Sequence, residues 1–294
     1  MQFTDWEYIL GRSMKFCGFY PTGFLLGTAL LVMGCGTSGG AMTSPSSSPV
    51  YGQSRPAILV SQQPISENQC AKVTIAIDPG HNPVPINRFD PVTGAAQIDY
   101  SNGAEDQDVF RVASIVKEGL ERDGYRVVLL KRTVSESVSY RERVTRAERA
   151  DALFAMSIHT SPGANQVFPQ RVGLYRQGTG ANGTQRRVVF VNEATASHSL
   201  RYSTAVARGR AQVQGTPVTV TDNSFDGRPP LWEGNIPIIS LISDRVPWVY
   251  NEFGTATAGG SIALPDGALR EYAAGLIAGV RLAAPLTRGG CSSH

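Results

Sequence analysis

Two histidines and two glutamates in this chain stand where a metal-assisted hydrolysis could be assembled. Ile77-Asp78-Pro79-Gly80-His81-Asn82 closes the apolar run 73–77 and puts the His81 imidazole at the carboxyl end of a buried strand, where open α/β sheets carry their sites. The same arrangement recurs at 152–160, which ends in His159-Thr160, and at 248–254, where Glu252 lies between Val249 and Phe253. Glu105 follows the loop Ser101-Asn102-Gly103 and opens an apparent helix. A catalytic zinc takes three protein ligands from His, Glu, Asp or Cys and keeps a position for water; His81, Glu105 and His159 can supply that set. Water on such a metal ionises near neutral pH, and an adjacent carboxylate can take its proton and later hand it to a leaving group. Glu252 is the available carboxylate, and desolvation among apolar neighbours would raise its pKa toward that of a base. Asp78 is suited to orienting the loop or an imidazole by hydrogen bonding. His198, among polar residues of a helical stretch, and His294, the last residue, read as histidines without a catalytic role.

The elements that must position these groups alternate in type. Apolar and β-branched runs predict strands at 73–77, 125–130 and 153–158, with helices at 106–122 and 140–150 between them. Such alternation implies a single α/β domain with a twisted, mostly parallel central sheet flanked by helices. In the first helix Val109, Val112, Ala113, Val116 and Leu120 recur at three- and four-residue spacing, and Gly124 stands where a left-handed terminal residue is wanted. Ser139 and Glu142 form a candidate capping box for the second helix. Its arginines, Arg141, Arg143, Arg146 and Arg149, read as a solvated basic face. Beyond His159 the pattern predicts a strand at 172–175, a polar helix from Arg186 to about Gln214, a loop at 223–235, ordered segments at 236–242 and 247–252, and a last helix near 267–284.

The chain has 294 residues, 41% of them hydrophobic, and 27 basic against 24 acidic residues give a net charge of +3. That excess is small and scattered, with no interleaving of aromatic and basic residues, and speaks against nucleic-acid binding. Lys15 precedes an apolar segment, Phe16 to Gly34, that ends in Val32-Met33-Gly34-Cys35 and then turns small and polar. Residues 1–35 have the layout of a secretory signal of lipoprotein type, with Cys35 as the residue acylated after cleavage and the protein tethered to a membrane of the cell envelope. Residues 36–69, rich in Ser, Pro, Gly and Gln, read as a flexible tether, and 70–294 as the catalytic domain. Cys70 and Cys291 stand near the two ends of that domain and could pair as a disulfide in an exported protein.

The segments IDPGH, NGAED, ERVTRAERADALFAMSIHTS and VPWVYNEFG together resemble the zinc-dependent N-acetylmuramoyl-L-alanine amidases of the amidase-3 type, over Val73 to about Pro285. The resemblance implies that His81, Glu105 and His159 bind one zinc ion and that Glu252 is the essential glutamate. It also implies hydrolysis of the amide between N-acetylmuramic acid and the L-alanine of the peptidoglycan stem peptide, in the periplasm or at its bounding membranes. The chain departs from the family pattern in SIHTSPGAN, where SIHAN is common, and in Thr255-Ala256-Thr257 after the glutamate motif. The family's autoinhibitory helix is not identifiable, so dependence on an activator protein does not carry over. Two other readings use the same residues or fold: a zinc amidohydrolase or carboxypeptidase acting within the stem peptide, and a non-catalytic peptidoglycan-binding lipoprotein. For the anchor the expected result is incorporation of a clickable fatty acid into the full chain and its loss in Cys35→Ala; label surviving that substitution would place the lipid elsewhere.

Overall fold

The structure, a computed structural model, describes residues 72–84, 86–92, 96–99, 101–179, 185–190, 192–221, 239 and 242–286. All of them lie in one compact unit, Pro64–His294. The signal and tether segments, Cys35, Cys70 and Cys291, and the 223–235 loop lie outside the described residues. Among the described residues no helix is long and apolar enough to cross a membrane.

In chain order the elements are β1 (Thr74–Pro79), β2 (Ile86–Phe89), β3 (Ala96–Asp99), α1 (Ala104–Asp123), β4 (Arg126–Leu129), α2 (Tyr140–Arg149), β5 (Phe154–Thr160), β6 (Asn165–Pro169), β7 (Gly173–Thr179), β8 (Gln185–Phe190), α3 (Glu193–Gln214), β9 (Thr219–Val220), β10 (Trp248–Phe253) and α4 (Asp266–Ala283). Six strands form the central sheet in the order β4-β1-β5-β10-β6-β9. Neighbours run parallel except β6 and β10, which are antiparallel. The strands β1, β5 and β10 are buried along their whole length, which is why their sequences read as continuous apolar runs and not as alternation.

The two faces of the sheet carry different cores. Ile75, Ile77, Phe154, Met156, Ile158 and Val249 pack with residues of α1, α3 and α4. The intervening positions, Ala76, Ala155 and Trp248, pack with Tyr140, Val144 and Ala147 of α2. Chain direction and strand alternation thus send Asp78, Ser157 and Tyr250, and one step further His159 and Glu252, to the α2 face.

Three expectations change in detail. The first helix starts at Ala104, so that Glu105 sits in its first turn; it ends at Gly124 in the left-handed conformation, φ 107°. Ser139 caps α2 by accepting from the Glu142 N–H at 3.2 Å, but the Glu142 carboxylate turns to Arg146 at 3.1 Å. The start of the polar helix expected from Arg186 is instead β8, antiparallel to β7. Val188-Val189-Phe190 are β-branched and aromatic residues that favour a pleated surface. Asn192 then caps α3 by accepting from the Thr195 N–H at 3.0 Å. The hairpin β2–β3 and the strand β6 were not legible as elements.

Helices α3 and α4 cross where small residues meet. A methyl group on Gly209 would overlap the Gly279 backbone, and one on Gly279 would stand 2.7 Å from the Val206 Cα. Gly209→Ala is therefore expected to lower the urea midpoint by the equivalent of roughly 1–3 kcal/mol through overpacking. Gly267→Ala, whose added methyl meets nothing within 4 Å, should be neutral or stabilising by up to about 1 kcal/mol. Equal midpoints for the two variants would mean that the helices can separate at no cost.

Candidate metal centre

The carboxyl ends of β1, β5 and β10 converge with the first turn of α1. His159 of β5 is the register partner of Glu252 on β10, and His81 follows β1 by two residues. Gly80 is a glycine because the His159 ring lies against its Cα, where a Cβ would overlap the ring. Across this junction His159 Nδ1 lies 3.2 Å from His81 Nε2 and 3.2 Å from Glu105 Oε1. His81 Nε2 stands 3.4 Å from Glu105 Oε2. Ligands about 2.0–2.1 Å from a tetrahedral ion are separated by about 3.3 Å. Two imidazole nitrogens and a carboxylate at these spacings fit a zinc-like cation with one coordination position left over. Among the described residues this is the group of His, Cys, Asp and Glu side chains that could hold a metal.

Each member is held from behind. Glu105 Oε1 accepts from the Thr160 N–H at 2.8 Å, and its other oxygen accepts from the Asn102 amide. The His159 ring stacks on Tyr250 with centroids 4.4 Å apart, and the His159 carbonyl accepts from the Tyr272 hydroxyl at 3.3 Å. His81 donates from Nδ1 to Asp99 Oδ1 at 2.8 Å, which turns Nε2 toward the centre. Its backbone N–H donates to Asp106 Oδ1 at 3.0 Å, and its carbonyl accepts from Lys131 Nζ at 2.5 Å.

Asp78, expected to orient the loop or an imidazole, accepts from Ser157 Oγ at 3.0 Å and from Arg143 Nη1 at 2.8 Å. It therefore bears on the His81 loop through Arg143. That arginine corrects the reading of α2 as a solvated basic face, since it is 1% exposed. Besides Asp78, its guanidinium donates to the Pro79 and Val138 carbonyls at 3.2 and 3.1 Å and to Asn82 Oδ1 at 2.9 Å. Arg141 is half-buried and makes a two-point pair with the fully buried Asp90, at 2.7 and 2.8 Å. Helical spacing reported which residues share a face of α2; it could not report that this face meets acceptors and not water. Asp99 gave no signal, because it lies between His81 and Glu105 in a stretch where no strand or helix pattern is read.

Electrostatics separate the two glutamates. Burial would raise the Glu105 carboxyl, but hydrogen bonds from His159 and His81 hold it well below the usual carboxylate range. Burial opposes the charged form of His81, and its bonds to Asp99 and Glu105 more than reverse that, to about 10. His159 is pushed down by burial. Glu252 is pushed up to about 8 by burial and by the charge of Glu105, against the opposing pull of His81 and Arg210. Its Oε2 is buried and has no hydrogen-bond partner. Glu252 also lines a groove of about 520 Å³, together with residues of β6, of β9 and its flanks, and of the loop 161–164.

A family described as N-acetylmuramoyl-L-alanine amidase matches residues 75–223. No curated protein sequence matches the chain. Among solved structures it is similar to the apo form of the N-acetylmuramyl-L-alanine amidase Ami1 from Mycobacterium abscessus, with 14% identity and a TM-score of 0.46 over 72% of this chain and 98% of that one. It is also similar to Ami1 from Mycobacterium smegmatis, with 15% identity and a TM-score of 0.46 over 72% and 96%. For the catalytic domain of CwlV from Bacillus (Paenibacillus) polymyxa the values are 17% and 0.40 over 71% and 96%.

The raised Glu252 carboxyl has a consequence for the metal-free protein. A folded pKa of about 8 against an ordinary 4.5 means that the folded state binds more protons than the unfolded one between those values. The stability contributed by protonated Glu252 is present below about pH 4.5 and is lost as pH rises through about 8. After chelation, Glu252→Gln is expected to match the parent protein near pH 5 and to exceed it by on the order of a few kcal/mol at pH 9. Denaturation curves that stay parallel from pH 5 to 9 would contradict this.

Proposed function

The chain belongs to the N-acetylmuramoyl-L-alanine amidase family, and on that premise we propose that His81, Glu105 and His159 hold one zinc ion and that Glu252 is the base of the reaction. The reaction is hydrolysis of the amide joining the lactyl group of N-acetylmuramic acid to the L-alanine of the peptidoglycan stem peptide. The observation that carries the residue assignment is the convergence of His81 Nε2 and His159 Nδ1, 3.2 Å apart, on the Glu105 carboxylate, whose two oxygens lie 3.2 and 3.4 Å from those nitrogens, beside a Glu252 carboxylate with a buried, unpartnered oxygen. When bound, the ion supplies Lewis acidity to the scissile carbonyl and to the attacking water.

The chain's own groups do the rest. Asp99 fixes the His81 ring, and Thr160 and Asn102 fix the Glu105 carboxylate, so that the ligands need no rearrangement. Glu252 Oε2 takes a proton from the water as its oxygen adds to the lactyl carbonyl carbon. The same oxygen then gives the proton to the alanine nitrogen as the C–N bond breaks. Burial raises the Glu252 carboxyl above the ordinary carboxylate range, the direction that suits a group that takes up and returns a proton near neutral pH. The products are a muramic acid with a free lactyl carboxylate and a stem peptide with a free amino terminus.

This substrate lies in the cell envelope, outside the cytoplasm. We assign residues 1–35 to export, with Cys35 as the lipid anchor, 36–69 to a tether that lets the domain reach the wall, and Cys70 and Cys291 to a disulfide joining the ends of the domain.

His81→Ala is expected to lose both zinc and activity. Glu252→Gln should retain zinc stoichiometrically while losing at least about 10²-fold in kcat. Mass spectrometry of digested peptidoglycan should find stem peptides with an amino-terminal L-alanine and peptide-free glycan. Shortened stems still attached to muramic acid would replace the amidase by a peptidase, and a fully active Glu252→Gln would remove Glu252 as the base.

A further inference from the structure

Residues paired across a sheet put their side chains on the same face. His159 of β5 pairs with Glu252 of β10, Glu252 with Gln166 of β6, and Gln166 with Thr219 of β9. The four side chains make one row across four adjacent strands, about 4.8 Å per step. Glu252, Gln166 and Thr219 line the same groove, whose volume of about 520 Å³ is within the roughly 300–1,000 Å³ typical of ligand sites.

Gln166 stands out within this row. Its side chain is half-buried and makes no hydrogen bond among the described residues. The neighbouring Asn165 is fully engaged: Oδ1 accepts from Arg210 Nη2 at 2.7 Å, and Nδ2 donates to Thr216 Oγ1 at 3.3 Å and to the Pro217 carbonyl at 3.1 Å. The Gln166 backbone, in contrast to its side chain, is pinned. Arg210, fully buried on α3, donates to the Gln166 carbonyl at 3.0 Å and to the Glu252 carbonyl at 3.0 Å. One guanidinium thus holds Gln166 and Glu252 in fixed relation and leaves the Gln166 carboxamide available.

A carboxamide presents one acceptor and one donor group, and so can accept from the N–H or donate to the C=O of a secondary amide, which point in opposite directions. No lysine or arginine lines the groove among the described residues, so nothing there favours a carboxylate. Two secondary amides flank the scissile bond: the acetamido group of the muramic acid, and the peptide amide that follows the L-alanine. Amides recur about every 3.3–3.8 Å along an extended chain, which brings the peptide amide to about one strand's spacing from the scissile one, and the acetamido group is borne by the sugar carbon next to the one that carries the lactyl ether. We propose that Gln166 is a substrate-binding residue that recognises a secondary amide adjacent to the scissile one; this rests on the amidase reading given above.

Gln166→Met is near-isosteric and cannot make the hydrogen bond to the amide. The test is steady-state kinetics of the zinc-loaded protein on a synthetic glycan fragment whose muramic acids carry L-alanyl-D-isoglutamine, with zinc content measured in parallel. The variant should keep its zinc and its kcat, and its KM should rise about 3- to 10-fold, the loss of one neutral hydrogen-bonded pair made equally in the bound and transition states. Two analogues identify the amide, one with an ester after the alanine and one with a hydroxyl in place of the acetamido group. On the analogue lacking the recognised amide, parent and variant should share the same KM. An unchanged KM on the full fragment, a fall in kcat alone, or a KM gap that persists on both analogues overturns the proposal. A zinc-loaded parent protein that leaves the fragment uncut overturns the amidase reading itself, and this proposal with it.

Discussion

The Arg143 guanidinium is enclosed on every side, and its N–H groups reach Asp78, Asn82 and the carbonyls of Pro79 and Val138. Asp99 lies 3.5 Å from the same group. A charge taken this far out of water is tolerated only when carboxylates and carbonyls replace the lost solvation. The exchange is mutual. Asp78 at the end of β1 and Asp99 at the end of β3 are themselves buried, and the arginine pairs with both, sharing Asp99 with His81. Removing one partner from such a set costs about 3–5 kcal/mol, so the turn 79–82 has one low-energy path. That turn carries His81, and Asp99 sets its ring, so the geometry of the candidate metal centre follows from a cation brought by α2.

The sheet supplies the second constraint. Because side chains alternate along a strand and align between strands, fixing the register of β5 against β10 places His159 beside Glu252. A slip of one residue in either strand would send its member of the pair to the opposite face, among the side chains packed beneath α1, α3 and α4. The antiparallel addition of β6 then extends the row outward. Arg210 plays for the β6–β10 junction the part that Arg143 plays for the β1 turn: it is a buried cation tying two backbones together from the opposite face of the sheet.

Two carboxylates of one chemical type acquire opposite properties within this frame. Glu105 receives hydrogen bonds from two histidines, a backbone N–H and an amide, and its negative charge is favoured, which suits the ligand role proposed for it. Glu252 is buried, receives none at Oε2 and feels the charge of Glu105, so in the metal-free protein its carboxyl is raised to about 8, the direction that the proposed role of base and then acid favours. Environments that push two titratable groups apart are what divide their roles.

How much of this was legible beforehand follows from the range of the forces involved. Short-range patterns were readable: the apolar runs ending in His81, His159 and Glu252, the three- and four-residue spacing of α1, the left-handed Gly124 and the Ser139 cap. Each depends on residues a few positions apart, so the sequence by itself determined the α/β class, the parallel strands and the candidate ligands. Asp99, Arg143, Gln166 and Arg210 were not legible, because each takes its meaning from a partner distant in the chain: His81 for Asp99, Asp78 for Arg143, Glu252 for Gln166 and for Arg210. Whether an arginine on a helix faces water or a buried carboxylate, and which strand lies beside which, is decided by packing and register. Those were fixed only when the tertiary structure closed and water was excluded.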